Sequence, residues 1–140
     1  MRVLIDTNVV LDVLQNRTPH VADSSIIWKL CETEQIEGYI NTITLLNLVY
    51  IMRRQMTPER VKEVIKMLQL IFRIADCTAA DINNAVEMPF SDFEDAVQSA
   101  TASKLRAEYI ITRNTRDVDC GNIAAIHPKD FIALKSSTLA

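Results

Sequence analysis

The sequence predicts an α/β fold, a three-layer α/β/α sandwich around a central parallel sheet of about five strands. Three observations carry that prediction: short apolar runs recur along the chain, one or two stretches of helical periodicity follow each run, and several runs stop at a carboxylate. Strands separated by helices pair in parallel through right-handed crossovers, which places helices on both faces of the sheet. The 140 residues fit one domain, 1–135, with a flexible polar tail at 136–140. A domain of this size buries roughly two-thirds of its unfolded surface and needs no staples.

Arg2-Val3-Leu4-Ile5 reads as a buried first strand, apolar without alternation as suits a strand covered on both faces. It ends at Asp6, and Thr7 and Asn8 can cap the helix that follows on Val9, Val10, Val13 and Leu14. A second helix runs from about Pro19 to Glu34 on Val21, Ile26, Ile27 and Leu30. Gly38-Tyr39-Ile40 is a short strand, after which Thr42 or Thr44 opens a helix carried by Leu45, Leu48, Val49 and Met52 to about Gln55. Thr57-Pro58, a cap followed by proline at the first helical position, starts another helix through Val61, Val64, Ile65 and Leu68.

Leu70 to Ala75 reads as a strand closed by Asp76. Thr78 with Asp81 forms a capping box for a helix ending before Pro89, and Ser91 with Glu94 forms a second. The helix after Ser91 carries Ala96, Ser99, Ala100 and Ser103, small enough to let it approach the sheet closely. Tyr109 to Thr112 is the clearest late strand, Ile123 to Ile126 the last, and Pro128 starts a final helix on Phe131, Ile132 and Leu134.

Composition narrows the function classes. A net charge of -3 gives no global attraction to nucleic acid, which leaves only a local basic strip for phosphates. Cys31, Cys77 and Cys120 lack any paired spacing, so neither a zinc site nor a disulfide framework is expected, and they read as reduced thiols of a cytoplasmic protein. Asp6 and Asp12 interrupt the first apolar segments, so neither a signal peptide nor a membrane span can be drawn. With only Gly38 and Gly121 there is no glycine loop for a nucleotide. His20 and His127 are isolated and suit packing better than catalysis.

The chemistry lies in the acids. Asp6 ends the first strand, Asp92, Glu94 and Asp95 open a late helix, and Asp117 follows the Tyr109 strand. Brought together they would suit a hard divalent cation, which takes oxygen ligands, can lower the pKa of a bound water and polarises a phosphodiester. Each acid also has a plainer role: Asp6 as a cap, Asp92 against the helix dipole, Glu94 closing the box from Ser91, and Asp117 in a turn. Asp92 and Asp95 share a helix face, and Asp95, past the cap and beside Ala96, is the favoured ligand.

Taken in order, Asp6-Thr7-Asn8, Asp92-Phe93-Glu94-Asp95-Ala96 and Thr112-Arg113-Asn114-Thr115-Arg116-Asp117 resemble the PIN domain family, and Ile126-His127-Pro128-Lys129-Asp130-Phe131 resembles its usual ending. The resemblance covers nearly the whole chain and points to the VapC-like ribonucleases. It implies a metal-dependent endoribonuclease using Mg²⁺ or Mn²⁺, with RNA as substrate, an antitoxin protein as partner and a homodimeric state. Asp6, Asp95 and Asp117 match the family's catalytic metal ligands, with Asp92 and Glu94 as assisting acids. Thr7, Asn8, Thr112 and Asn114 match supporting positions.

One position departs: where the family usually places a glutamate, Thr42-Ile43-Thr44-Leu45-Leu46-Asn47-Leu48 offers Asn47. An asparagine supplies a carbonyl oxygen but no negative charge. This implies a branch of the family in which the late helix contributes the missing charge; the alternative is a catalytically weak PIN-fold module that binds RNA or protein. Arg54, on the helical face of Asn47 and Ile51, and Arg113 beside the last acid are the substrate-phosphate candidates. Arg116 and Arg53 read as solvated charges. Tyr50, Ile51 and the Thr57 to Leu70 helix are the candidate dimer face.

Overall fold

The computed structural model describes residues 1–118 and 121–139, with the side chains of Asp117, Val118, Thr138 and Leu139 outside the described set. In chain order the elements are β1 (Arg2–Ile5), α1 (Thr7–Leu14), α2 (Val21–Glu32), β2 (Glu37–Asn41), α3 (Thr42–Met52), α4 (Pro58–Ile71), β3 (Arg73–Ala75), α5 (Ala79–Val86), α6 (Phe93–Leu105), β4 (Tyr109–Ile111), α7 (Thr115–Val118), β5 (Ala124–Ile126) and α8 (Pro128–Leu139). The five strands form one parallel sheet in the order β3-β2-β1-β4-β5. The chain builds outward from β1 through β2 to β3, then returns to lay β4 and β5 on the other side. The order therefore reverses between β1 and β4, and crevices at such a switch point are where open α/β sheets hold their ligands.

Alternation along β1 separates the layers. Val3 and Ile5 face a core built from α1, α2, α3, α4 and α8, including Val9, Ile27, Leu48, Leu68 and Phe131. Leu4 faces the opposite side with Ala102 of α6 and Ile110 of β4. A third cluster, Ala85, Ala96, Val97 and Ala100, holds α5 on α6. Of the small residues expected to let α6 approach the sheet, Ala96, Ser99 and Ala100 are buried and Ser103 is half-buried, and Ala102 is buried with them. Gly38 of β2 has a similar reason: a Cβ there would collide with the sulfur of Cys31 on α2.

The caps explain most element boundaries. Thr57 accepts from the Arg60 amide with Pro58 beside it, and Thr78 and Asp81 complete a reciprocal box. Each such cap stabilises its helix by about 1 kcal/mol. Two expectations are corrected. The cap of α6 is Asp92 rather than Ser91, its Oδ1 accepting from the amides of Glu94 at 2.8 Å and Asp95 at 3.4 Å. Leu70 and Ile71 belong to α4, because helix propagation adds one bond per residue and nothing breaks it before Phe72 takes an extended conformation. The described residues of the tail continue α8 to Leu139, with Ser137 donating back to the Leu134 carbonyl at 2.8 Å.

Candidate active site

Asp6 leaves β1 at the switch point, opposite the end of β4. Its backbone N–H donates to the Ile111 carbonyl at 3.0 Å, and its side chain turns over to cap α1. Oδ1 accepts from the Thr7 amide at 2.8 Å and from Gln98 Nε2 at 3.3 Å. Oδ2 accepts from Thr112 Oγ1 at 2.8 Å and Asn8 Nδ2 at 3.4 Å. Cap and site residue are thus one role: four donors from β1–α1, α6 and the end of β4 fix a carboxylate that is 8% exposed.

The loop after β4 is fastened to the same point. Thr112 Oγ1 accepts from Asn8 Nδ2 at 3.3 Å and the Asn114 amide at 3.0 Å, while Asn8 Oδ1 accepts from the Arg113 amide at 3.2 Å. The support expected of Asn8, Thr112 and Asn114 has this geometry. Thr7 contributes its amide; its hydroxyl is buried without a partner.

A second wall forms where α3 meets α6. Gln98 Nε2 bridges Asp6 to Thr44 Oγ1, the latter at 3.0 Å, and Asn47 Nδ2 donates to Glu94 Oε1 at 2.8 Å. Thr44 and Asn47 lie three apart, Glu94 and Gln98 four apart, so each pair presents one helix face and the faces join in two rungs. Because Asp92 makes the cap, Glu94 is released from the box expected with Ser91 and its side chain reaches Asn47 instead. Burial pushes the Glu94 carboxyl above its ordinary value, as do the neighbouring charges of Asp6 and Asp92, with the Asn47 bond opposing them. Asn47 on α3 thus faces a carboxylate carried by α6.

Asp6, Thr7, Asn8, Asn47, Glu94, Thr112 and Asn114 come together in this crevice, and Asp95 lies half-buried in the first turn of α6 beside it. The side chain of Asp117, expected to be the last ligand, lies outside the described residues; its backbone is in α7. Arg54 is exposed beyond the end of α3. Arg113 departs from the phosphate role: its Nε and Nη2 grip the carboxylate of Asp12 at 2.9 and 3.0 Å, and Ser24 Oγ donates to the same group at 2.8 Å. Asp12 is fully buried, so this pairing satisfies a charge that water cannot reach.

Sequence reasoning missed Gln98, Thr44 and Asp12. Gln98 carried a signal, a long polar side chain four residues after Glu94 on a face otherwise made of small residues. Asp12 carried one too, a lone acid among Val9, Val10, Leu11, Val13 and Leu14.

The donor set fits a hard cation. Among the described residues no three His, Cys, Asp or Glu side chains gather into a complete cage. Mg²⁺, however, commonly takes one or two carboxylates and keeps the rest of its shell as water. Two observations favour such an ion here. Burial, joined by the charges of Asp6 and Asp92, raises Glu94, and Gln98 Oε1 is buried with no hydrogen-bond partner.

The fold and site define a class: parallel α/β proteins with an oxygen-rich acidic crevice at the switch point between two central strands. Within it, the chain belongs to the PIN domain family, whose sequence profile matches residues 2–116. No curated protein sequence matches it. Among solved structures it is similar to DNA-bound VapBC from Salmonella typhimurium, at 18% identity and a TM-score of 0.69 over 91% of this chain and 98% of that one. A toxin-antitoxin complex from Klebsiella pneumoniae is 23% identical with a TM-score of 0.67 over 90% and 97% of the two chains. Mycobacterium tuberculosis VapC20, described as a Sarcin-Ricin loop cleaving toxin, is 14% identical with a TM-score of 0.59 over 77% and 86%. At these identities the likeness is one of fold.

Proposed function

We propose that this protein is a divalent-cation-dependent endoribonuclease that hydrolyses RNA phosphodiester bonds and serves as the toxin of a toxin-antitoxin pair. The observation that carries the reading is the fixed carboxylate of Asp6 at the switch point, faced by a Glu94 whose carboxyl is raised by burial and by neighbouring acids. Asp6, Asp95 and Asp117 would hold Mg²⁺ or Mn²⁺, with Glu94 and Asp92 supplying the charge that Asn47 does not. When bound, the cation would polarise the scissile phosphate and make water a better nucleophile at neutral pH. The chain's own residues do the positioning: Thr112, Asn8 and Gln98 fix the Asp6 carboxylate, and Asn47 holds Glu94 toward it.

The family and the folds it resembles support this reading. Several similar structures are complexes of a toxin with its antitoxin, some bound to DNA, and one is described as a Sarcin-Ricin loop cleaving toxin. The proposal extends to an antitoxin partner, a homodimer and a cytoplasmic location; no described helix is long and apolar enough to cross a membrane. The second reading, a PIN-fold module that binds RNA or protein without cleaving, is favoured by Asn47 and by the incomplete acid cage among the described residues.

Cleavage of a mixed RNA pool with Mn²⁺ separates the two. The nuclease reading expects activity that chelator removes and that Asp6→Asn reduces by roughly a hundredfold or more, the scale on which loss of a key electrostatic group acts. Equal cleavage by wild type, Asp6→Asn and the chelated protein would refute it.

A further inference from the structure

We propose that the exposed face of α3 beyond Asn47 is a stacking platform for single-stranded RNA, with Tyr50 as the base-stacking ring and Arg53 and Arg54 as its phosphate contacts. The inference rests on the ribonuclease reading and names how the same site holds its substrate. Tyr50 is 53% exposed and Leu46, one turn before it, is 69% exposed, so α3 leaves apolar surface uncovered beside the acidic crevice. The guanidinium of Arg53 lies 4.2 Å from the Tyr50 ring centre and that of Arg54 5.7 Å. Neither arginine forms an ion pair among the described residues, whereas Arg2, Arg60, Arg73 and Arg113 do.

That combination selects a polyanion with flat groups. Two unneutralised guanidinium groups attract phosphates, and the ring and the guanidinium planes both stack on bases regardless of sequence. Tyr50, Ile51, Arg54 and Gln55 line a shallow groove of about 240 Å³. Its position fits a strand threaded from the acids. Tyr50 follows Asn47 by three residues on α3, which puts it roughly 4.5 Å along the axis, about one stacked nucleotide, while Arg53 caps the helix and Arg54 lies in the turn just beyond it. Asn47, one turn before Tyr50 on α3, donates to Glu94, so the same helix carries both the groove and one wall of the crevice. In a chain of net charge -3 this is the local basic strip that phosphate binding requires.

The test is fluorescence anisotropy with a labelled single-stranded oligoribonucleotide in EDTA, so that binding is read without cleavage, with light scattering on the same samples. Tyr50→Ala should weaken binding about 5- to 150-fold, the measured range for one stacked base, while Tyr50→Trp retains it. Tyr50→Leu, which keeps apolar bulk without a ring, should bind like Tyr50→Ala. Removing Arg53 and Arg54 together should make the salt dependence shallower by roughly 1.4 logarithmic units of slope. Absence of wild-type binding, or equal binding by the Ala and Trp variants, overturns the proposal. So does a Tyr50→Ala variant that binds normally but falls from dimer to monomer, which would assign the face to a second copy. If wild type fails to cleave with Mn²⁺ yet binds RNA through Tyr50 in EDTA, the nuclease reading fails and the platform stands; intact cleavage without Tyr50-dependent binding sinks only the platform.

Discussion

Replacing Arg113 with methionine tests whether the Asp12–Arg113 pair locks the loop after β4 onto α1. Asp12 is fully buried, and the two guanidinium bonds at 2.9 and 3.0 Å are its main compensation, with Ser24 giving one more. Stripping one partner from a buried pair typically costs about 3–5 kcal/mol because the other charge is stranded. The Arg113 side chain is 24% exposed, which screens the pair and places the cost near the lower end, about 3 kcal/mol. For a chain of this length the unfolding entropy converts that to a fall in Tm of roughly 10 °C. Adding Asp12→Asn to Arg113→Met removes the stranded charge while keeping an acceptor for Ser24, so the double variant should recover more than half of the loss. Thermal unfolding of the four proteins by circular dichroism forms a complete cycle. A Tm for Arg113→Met within about 2 °C of wild type, or strictly additive effects of the two changes, would refute the argument.

Two further predictions concern pH. Glu94 is raised, so its protonated form favours the folded state: that stability is full below the ordinary glutamate range and is lost as pH rises through the elevated value. Glu94→Gln keeps an oxygen for Asn47, so in denaturant melts with chelator it should be more stable than wild type at pH 8 and equal to it near pH 4. It should also bind Mn²⁺ more weakly by titration calorimetry, and unchanged affinity would mean that Glu94 stands outside the site. Asp81 shows the opposite sign. Burial opposes its ionisation, but Lys104 Nζ at 2.6 Å and the Thr78 bonds outweigh burial and hold the carboxyl below its ordinary range. Its contribution is present above that range and lost as pH falls through the depressed value, so Lys104→Met should destabilise at pH 7 and flatten the acid limb of the stability curve.

Much of the fold was legible because it follows from local periodicity. Val3, Leu4 and Ile5 announce a strand buried on both faces, Thr57-Pro58 and Thr78-Asp81 announce helix starts, and the small residues of α6 announce close packing. What misled was competition between neighbouring signals. Ser91 and Asp92 are both good caps, and only the backbone path into α6 decided for Asp92. Leu70 through Ala75 is apolar enough for a strand, yet the growing α4 helix took Leu70 and Ile71 first.

The sequence by itself determined the layered α/β architecture, the acids at the ends of elements and the family to which the chain belongs, since all three are written in the order and spacing of residue types. The tertiary structure alone decided which side chains meet. Asp6 with Gln98 and Thr112, Asn47 with Glu94, and Asp12 with Arg113 join positions 47 to 106 residues apart. Those pairings depend on the strand order and on how α3 and α6 cross, and neither has a local signature. The physical reason is reach: a hydrogen bond is sensitive to tenths of an ångström, and only the packed core fixes distant backbones that well. Packing thus turned Glu94 from an expected cap into the acid beside Asp6, and Arg113 from an expected phosphate ligand into the clamp on Asp12.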